Sequence, residues 1–221
     1  MNVSEAVAAR RTIRAYLDRP VEEAVMRRIL DKSQMAPSSL NFQPWRAVVL
    51  GGEPLAALGE AIRAAQPDDP ADFPLYDPAT PQRYLDRREA LMVERMAAIG
   101  VARDDMVGRA AFQRRNYDFF GAPAVLFAFV PRALSPNNWA SAGLWLQTVM
   151  LLAVEEGLGT CPQESLSSYA SLVHAACGVD RADHFLWCGL AIGWPDMAAP
   201  INCYPRPRAP LDEVAQFKGL S

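Results

Sequence analysis

Two arginine-rich segments stand near opposite ends of the chain and could together bind a phosphate. The first, ARRTIRAY, offers Arg10, Arg11, Thr12 and Arg14. The second, YPRPR, carries Arg206 and Arg208 on a segment that its prolines stiffen. Guanidinium groups pair bidentately with phosphate oxygens, and a hydroxyl adds a further hydrogen bond. Each segment alone could equally be a solvated basic surface, so the phosphate site is a hypothesis that requires both segments to meet.

Two polar segments that contain proline could line a ligand. APSSLNFQPW, at residues 36 to 45, lies between a helix pattern and a strand pattern, and its candidate residues are Pro37, Ser38, Ser39, Asn41 and Gln43. GLGTCPQES predicts an exposed loop formed by Pro162, Gln163, Glu164 and Ser165. Such a loop could present backbone N–H groups to a heteroaromatic ring. Its glycines follow a helix pattern and lack the spacing of a dinucleotide loop, so a helix C-cap turn explains them.

The common catalytic signatures are missing from the sequence. It contains no G-x-S-x-G elbow, no phosphate-binding G-x-x-x-x-G-K-[ST] and no H-E-x-x-H. His174 and His184 belong to none of these motifs, and we interpret both as structural or surface residues. The four cysteines lie far apart, which favours reduced core thiols over a metal site or a disulfide framework. We therefore assign no catalytic side chain, and an enzyme with this sequence would depend on a cofactor.

Composition indicates one domain and excludes several partners. The chain has 221 residues, 51% of them hydrophobic, which suits a single domain with a substantial core. With 22 basic and 25 acidic residues, its charge of −3 gives no reason to expect nucleic acid or an anionic membrane as a partner. Charge appears at Glu5 and Arg10, so no signal-peptide core is present and we expect a cytoplasmic protein. The uncharged stretch 133 to 154 contains too many polar residues for a membrane span and predicts a buried helix starting near Asn138.

Hydrophobic patterns alternate between helices and strands along the chain. Ser4 is a candidate cap for a short first helix ending near Arg11, and helical spacing follows residue 22, whereas RAVVL, PAVLFAFV and FLWCGLAIGW are typical of buried strands. These elements predict an α+β fold, with a central sheet and helices on its faces. We expect residues 1 to 221 to form one domain, with an inserted excursion, a candidate lid, at about residues 65 to 117.

The ordered motifs resemble those of the nitroreductase family. They are ARRTIRAY, APSSLNFQPW, RNYDFFGAPAV, EEGLGTCPQES and YPRPRAPLDEV, and they span residues 5 to 214. The resemblance implies an α+β homodimer with a mainly antiparallel sheet that binds FMN at the subunit interface. The long helix near Asn138 would form the core of that interface.

The resemblance also implies roles for the candidate residues. Arg10, Arg11 and Thr12, together with Arg208 and Arg206, would hold the ribityl phosphate of FMN. Arg14 would lie near the pyrimidine edge of the flavin, where a cation stabilises negative charge. The other flavin edge would meet Pro162 to Ser165, and Pro37 to Gln43 would reach the flavin of the partner subunit.

Members of this family transfer two electrons by a ping-pong mechanism from NADPH or NADH to a nitroaromatic or quinone-like acceptor. The chain could instead bind flavin without NAD(P)H turnover, or fragment the flavin. Dehalogenation is disfavoured, because the lid has Tyr84 and Glu89 but no lysine.

Candidate contacts for a small aromatic substrate lie in or next to the lid: Tyr76, Tyr84, Arg88 and Phe120. Between positions 83 and 115, arginines outnumber acidic residues, which is consistent with an anionic acceptor such as a nitrobenzoate. A solvated helical face with ion pairs between successive turns is the alternative interpretation. Phe120 precedes a buried strand and could equally be a core residue.

Overall fold

The computed structural model describes residues 1–67, 69 and 77–220. Its sheet has four antiparallel strands in the order β1-β2-β4-β3: β1 (Arg46–Gly51), β2 (Ala124–Pro131), β3 (Gly159–Gln163) and β4 (His184–Gly193). The predicted α+β class is confirmed. Strands β2 and β4 occupy the centre, and β2 is buried along nearly its whole length because helices cover both faces.

Eight α-helices surround this sheet in the described part of the chain. They are α1 (Val3–Ala9), α2 (Glu23–Ser33), α3 (Gly52–Ala64), α4 (Gln82–Ala98), α5 (Met106–Arg114), α6 (Asn137–Glu155), α7 (Ala170–Cys177) and α8 (Leu211–Val214). Short 3-10 helices occur at Ser39–Asn41, Arg115–Gly121, Glu164–Tyr169 and Pro200–Asn202. None of the described helices is long and apolar enough to cross a membrane.

The core divides into two layers, one on each face of the sheet. Alternation along β2 sends Phe127 to the layer that contains α3, α5 and α7, and Leu126 to the layer that contains α2 and α6. Both side chains are fully buried. Alternate residues of β2 therefore pack against opposite helical layers, and the sheet is held between the two layers.

Three local predictions were wrong in detail. The first helix is capped by Asn2, not Ser4: Asn2 Oδ1 accepts from Glu5 N at 2.9 Å, and Asn2 N donates to Glu5 Oε2, also at 2.9 Å. Helix α6 starts at Asn137, and Asn138 lies buried inside it instead of capping it. The expected loop at Pro162–Ser165 is the end of β3 followed by a 3-10 helix.

Candidate functional site

The N-terminal arginine segment runs in extended form beside β3. Thr12 and Thr160 form a parallel bridge, and Ile13 N donates to Thr160 O at 2.9 Å. Tyr16 forms a second bridge with Pro195. These bonds bring ARRTIRAY next to the strand that carries CPQ, so two of the segments identified in the sequence meet at one edge of the sheet.

The C-terminal arginine segment returns to the same place. Arg206 donates to the carbonyl of Arg10 and, at 3.0 Å, to that of Ala8. Arg11 Nη1 donates to Asn202 O at 2.6 Å. Partial burial and the nearby Arg208 lower the pKa of Arg10, and burial followed by repulsion from its three arginine neighbours lowers the pKa of Arg206. The two basic segments therefore form one cluster, which we call the arginine cluster: Arg10, Arg11, Arg206 and Arg208.

The arginine cluster lacks a counter-ion within the described part of the chain. None of the ion pairs found there includes any of its four guanidinium groups. These positive charges repel one another and have no carboxylate partner there. Binding an anion relieves the repulsion and is therefore favourable. Arg206 uses two of its nitrogens on backbone carbonyls, so it shapes the cluster. Arg10 and the exposed Arg208 have more donors left for a ligand.

Asn202 connects the two segments and was missed by the sequence analysis. This residue is 2% exposed, and its Oδ1 accepts from Arg14 N at 2.7 Å. Its Nδ2 donates to Ala15 O and to Asp196 O, each at 2.8 Å. Its backbone carbonyl receives the bond from Arg11. Only the polar character of Asn202, two residues before YPRPR, could have drawn attention to it in the sequence.

A second group of side chains surrounds Arg14. Arg14 Nη1 and Arg95 Nε both donate to the phenol oxygen of Tyr204 at 3.2 Å. The guanidinium carbon of Arg14 lies 5.6 Å from the ring centre of Phe120, and that of Arg115 lies 5.7 Å from it on the same ring. Phe120 is 2% exposed, so it supports arginines from within the core and offers little surface to a substrate.

Strand β3 and the 3-10 helix that follows it carry buried polar atoms without a hydrogen-bond partner in the described structure. Gln163 is 2% exposed; its Nε2 donates to Asn116 O at 2.7 Å, but its Oε1 has no partner. Thr160 Oγ1 and Ser165 Oγ are likewise buried and unpaired. Buried polar atoms normally find partners. A polar ligand edge at this position would supply them, which fits a heteroaromatic ring beside β3.

The segment APSSLNFQPW forms a strained surface turn. Leu40, Asn41 and Gln43 adopt left-handed backbone angles, with φ of 51°, 58° and 48°. Each such residue costs about 1–2 kcal/mol. Gln43 N donates to Ser38 Oγ at 3.0 Å, and Ser39 N donates to Ser141 Oγ at 3.1 Å. These bonds stabilise an otherwise unfavourable conformation.

That turn is attached to helices and not to the arginine cluster. Besides its bond to α6, it is followed by Trp45, which stacks on Trp145 of α6 at 5.8 Å and donates to Gln34 at 3.2 Å. Leu40 is 82% exposed and Phe42 52% exposed. In the described chain, the structure thus brings residues 10–14, 162–165 and 206–208 together, while residues 37–43 project from a different surface.

The lid candidates lie on α4 where they are described. Tyr84 is half exposed, and its phenol accepts from Arg83 Nη2 at 2.9 Å; this bond, with the charges of Arg83 and Arg87, lowers its pKa. Arg88 is exposed on the same helix. Tyr76 lies outside the described residues.

Among the described residues, no group of three or more histidine, cysteine or acidic side chains is placed to bind a metal ion. The four cysteines are free, and burial raises the pKa of Cys161 to about 11. His174 is buried, and its Nδ1 lies 2.9 Å from Val179 O, in agreement with a structural role.

A four-stranded antiparallel sheet covered by helices on both faces, with the arginine cluster at its edge, defines an α+β protein. Residues 7–194 match the Nitroreductase family model, and the chain belongs to the nitroreductase family. It is 35% identical to a 4-nitrobenzoate reductase of Pseudomonas putida over 97% of this chain and 94% of that protein.

Solved structures agree with this assignment. The FMN and NADPH-dependent nitroreductase NfnB from sphigopyxis sp. strain HMH is 42% identical with a TM-score of 0.96, and the match covers 100% of both chains. The FMN-dependent nitroreductase NfnB from Mycobacterium smegmatis, in complex with NADPH, is 31% identical with a TM-score of 0.91, and the match covers 98% of this chain and 100% of that one.

Proposed function

We propose that the protein is an FMN-dependent oxidoreductase that takes two electrons from NADPH or NADH and transfers them to a nitroaromatic acceptor. The observation that carries this proposal is the arginine cluster, which lacks a carboxylate partner in the described chain and adjoins unpaired polar atoms on β3. The similar proteins named above are FMN- and NADPH-dependent or reduce 4-nitrobenzoate, which supports the cofactor and the acceptor class.

The residues fit the phosphate of FMN. Arg10, Arg11 and Arg208 would supply charge-assisted hydrogen bonds, and the Thr12 hydroxyl would add another. Arg206 would act mainly by holding the backbone of Arg10 and Ala8 in place. Since these groups repel one another before a ligand binds, a dianionic phosphate relieves the repulsion, and binding should weaken as salt rises.

The residues beside β3 fit the flavin ring. When bound, FMN supplies two-electron chemistry between a nicotinamide and an acceptor, so no side-chain nucleophile is needed. Arg14 would place positive charge at the pyrimidine edge, where Tyr204 and Asn202 hold it. Pro162, Gln163, Glu164 and Ser165 would pass the opposite edge, and the free Gln163 Oε1 and Ser165 Oγ are suited to ring donors and acceptors.

We further propose a homodimer in which the strained turn at residues 37–43 completes the partner's flavin site. A turn that exposes Leu40 and Phe42 while holding three left-handed residues is costly for an isolated chain. On α1, Val3 and Val7 are one turn apart and 76% and 52% exposed, and on α6 Leu144 is 50% exposed. Such exposed apolar side chains favour burial against a second copy.

The acceptor would be a small aromatic anion such as 4-nitrobenzoate. Tyr84 offers a ring face for stacking, and the guanidinium carbons of Arg83 and Arg87 lie 4.8 and 5.6 Å from its ring centre. A carboxylate on the acceptor would meet this positive field, to which exposed Arg88 adds. Arg87 already pairs with Glu213 of α8, so Arg83 is the better candidate for direct contact.

Steady-state kinetics of the FMN-loaded protein test the proposed function. With NADPH varied at several fixed 4-nitrobenzoate concentrations, a ping-pong mechanism predicts parallel double-reciprocal lines. A flavin-binding protein without turnover would hold FMN but show no acceptor-dependent oxidation of NADPH, and that result would overturn the proposal. Intersecting lines would reject the ping-pong order while leaving the reaction intact.

A further inference from the structure

The phenol oxygen of Tyr204 accepts hydrogen bonds from two arginines. Arg14, from the extended N-terminal segment, and Arg95, from α4, both donate to its phenol oxygen at 3.2 Å. Tyr204 is 8% exposed, so both bonds form at the margin of the core. A phenol oxygen has two acceptor lone pairs, and this geometry uses both of them for guanidinium donors. Tyr204 therefore joins residues from three separate parts of the chain.

This arrangement holds two positive charges together, and neither is paired with a carboxylate among the residues that the structure describes. Burial and, next, repulsion from Arg14 lower the pKa of Arg95. Arg14 lies over the ring of Phe120, and Arg95 lies 5.9 Å from the ring centre of Tyr204 and also donates to Met92 Sδ at 3.6 Å. The neighbouring Cys161 remains a neutral thiol because burial raises its pKa to about 11.

Two partly buried cations with no anion are a costly arrangement, and it becomes favourable when negative charge develops beside it. Reduction of a flavin by a nicotinamide transfers two electrons with one proton, so the ring gains one negative charge. Under the proposed function, Arg14 lies at the ring edge where that charge is concentrated. Arg95 is farther along the same chain of contacts: it donates to Tyr204, which also accepts from Arg14.

We propose that Arg95 is a positioning residue, which acts through Tyr204 to fix Arg14 and to add a second positive charge that favours reduced over oxidised flavin. This inference rests on the proposed function. It assigns to the lid helix α4 a role in setting the flavin potential, separate from any contact with the acceptor. The predicted effect of Arg95 is on the ratio of the affinities for reduced and oxidised FMN, and not on the affinity for FMN in general.

Three substitutions separate charge from geometry. Arg95→Gln removes the charge and keeps a polar side chain, whereas Arg95→Lys keeps the charge and loses the planar fork. Tyr204→Phe keeps the ring and removes the oxygen that both arginines share. Arg103→Gln is the matched control, because it removes one positive charge from the same excursion at a side chain that is 80% exposed and pairs with Glu89.

The experiment measures the midpoint potential of bound FMN and the dissociation constant of oxidised FMN for each variant. We expect Arg95→Gln to weaken the binding of reduced flavin about tenfold relative to oxidised flavin, which lowers the two-electron potential by about 30 mV. Tyr204→Phe should shift the potential in the same direction, Arg95→Lys should restore most of the wild-type value, and Arg103→Gln should leave it unchanged.

The possible outcomes are distinct. If Arg95→Gln weakens both flavin forms equally, the potential stays constant, Arg95 is merely structural and the inference is overturned. The same holds if Arg103→Gln shifts the potential as much as Arg95→Gln does. If circular dichroism shows that Arg95→Gln does not fold, Tyr204→Phe provides the test. A lower potential in Tyr204→Phe supports the inference, and an unchanged potential overturns it. A wild-type protein that binds no FMN would instead refute the proposed function itself.

Discussion

Arg14 and Asn202 stand 188 residues apart in the chain, yet the backbone N–H of Arg14 donates to Asn202 Oδ1 at 2.7 Å. The same amide side chain donates to the carbonyls of Ala15 and Asp196. One buried residue thereby fixes the N-terminal basic segment against the C-terminal one. This connection and the bonds from Arg206 to the carbonyls of Arg10 and Ala8 together hold the arginine cluster, because neither segment lies within a helix or strand at its arginines.

Replacing Asn202 with alanine should therefore weaken both folding and flavin binding. The change leaves Arg14 N–H and two carbonyls without their buried partner, at a cost of about 1–3 kcal/mol in the free energy of unfolding. We expect thermal unfolding to shift downward and the dissociation constant for FMN to rise about tenfold or more. Asn2→Ala is the control, since loss of a helix cap costs about 1 kcal/mol and touches none of these bonds. Equal FMN affinities in the two variants would contradict the positioning role of Asn202.

Replacing Arg208 with glutamine should reduce the affinity for FMN but not for riboflavin. Loss of one charge-assisted hydrogen bond to phosphate costs about 1.5–3 kcal/mol, roughly a tenfold to hundredfold change in the dissociation constant. Fluorescence titration with both flavins at low and high salt measures it. Riboflavin is its own control because it lacks the phosphate. If both flavins lose affinity to the same extent, Arg208 does not bind the phosphate.

Replacing Leu40 with arginine should disrupt the proposed dimer. Leu40 is 82% exposed, and a charge at this position would be buried without a partner against a second copy. Sedimentation analysis should show a shift toward monomer together with loss of bound FMN. Ala57→Arg, on the exposed face of α3, adds the same charge elsewhere and should leave both properties unchanged. A Leu40→Arg protein that remains a dimer with bound FMN would refute the shared site.

Asp69→Asn should destabilise the protein near neutral pH and have little effect in strong acid. Asp69 is partly buried, which by itself raises its pKa, but bonds from the Ser171 hydroxyl and N–H and from Arg181 outweigh burial and lower the pKa overall. Because the pKa of Asp69 in the folded protein lies below the ordinary value of about 4, the ionised carboxylate stabilises the fold above about pH 4. This contribution is lost as the pH falls through the folded-state pKa.

Unfolding of wild type and Asp69→Asn at several pH values measures this difference. We expect a gap of about 1–2 kcal/mol at pH 7 that closes below about pH 4. Asp118→Asn is a suitable comparison, because Asp118 pairs with Arg63 at the surface and both side chains are about half exposed. That variant should lose less than about 1 kcal/mol. A gap that is independent of pH would show that the carboxylate charge contributes nothing.

Replacing Arg83 with glutamine tests the anionic acceptor. The expected result is a lower kcat/KM for 4-nitrobenzoate with little change for uncharged nitrobenzene, because only the former meets the positive field beside Tyr84. Rising salt should reduce the wild-type preference for 4-nitrobenzoate. Arg103→Gln, which removes a more remote lid charge, controls for net charge. Equal kcat/KM values for both substrates, independent of salt, would exclude recognition of the anion.

Much of the fold could be predicted because the central strands are unambiguous. PAVLFAFV and FLWCGLAIGW are continuous apolar runs, and β2 and β4 occupy them because helices cover both faces of the sheet. β3 escaped prediction because GTCPQ contains a glycine and a proline, which are typical of turns. An edge strand tolerates proline, and β3 is at the edge of the sheet.

The segments that form the candidate site could be predicted from the sequence, but the residues that hold these segments together could not. The basic segments and CPQES were apparent from side-chain chemistry, and the structure brings them together. Asn202, Tyr204 and Arg95 were not identified as site residues, because their importance comes from partners that are 109 to 190 residues distant in sequence. The left-handed backbone conformation of Leu40 could not be predicted either, because a leucine rarely adopts it.

The most direct test of the account is the visible spectrum of the FMN-loaded protein under anaerobic conditions, recorded after NADPH and then after 4-nitrobenzoate. The proposed function predicts that the flavin bands bleach with NADPH and return with the nitro compound. Bands that remain unchanged in the presence of either NADPH or NADH would contradict the redox function, even if the arginine cluster binds FMN as described.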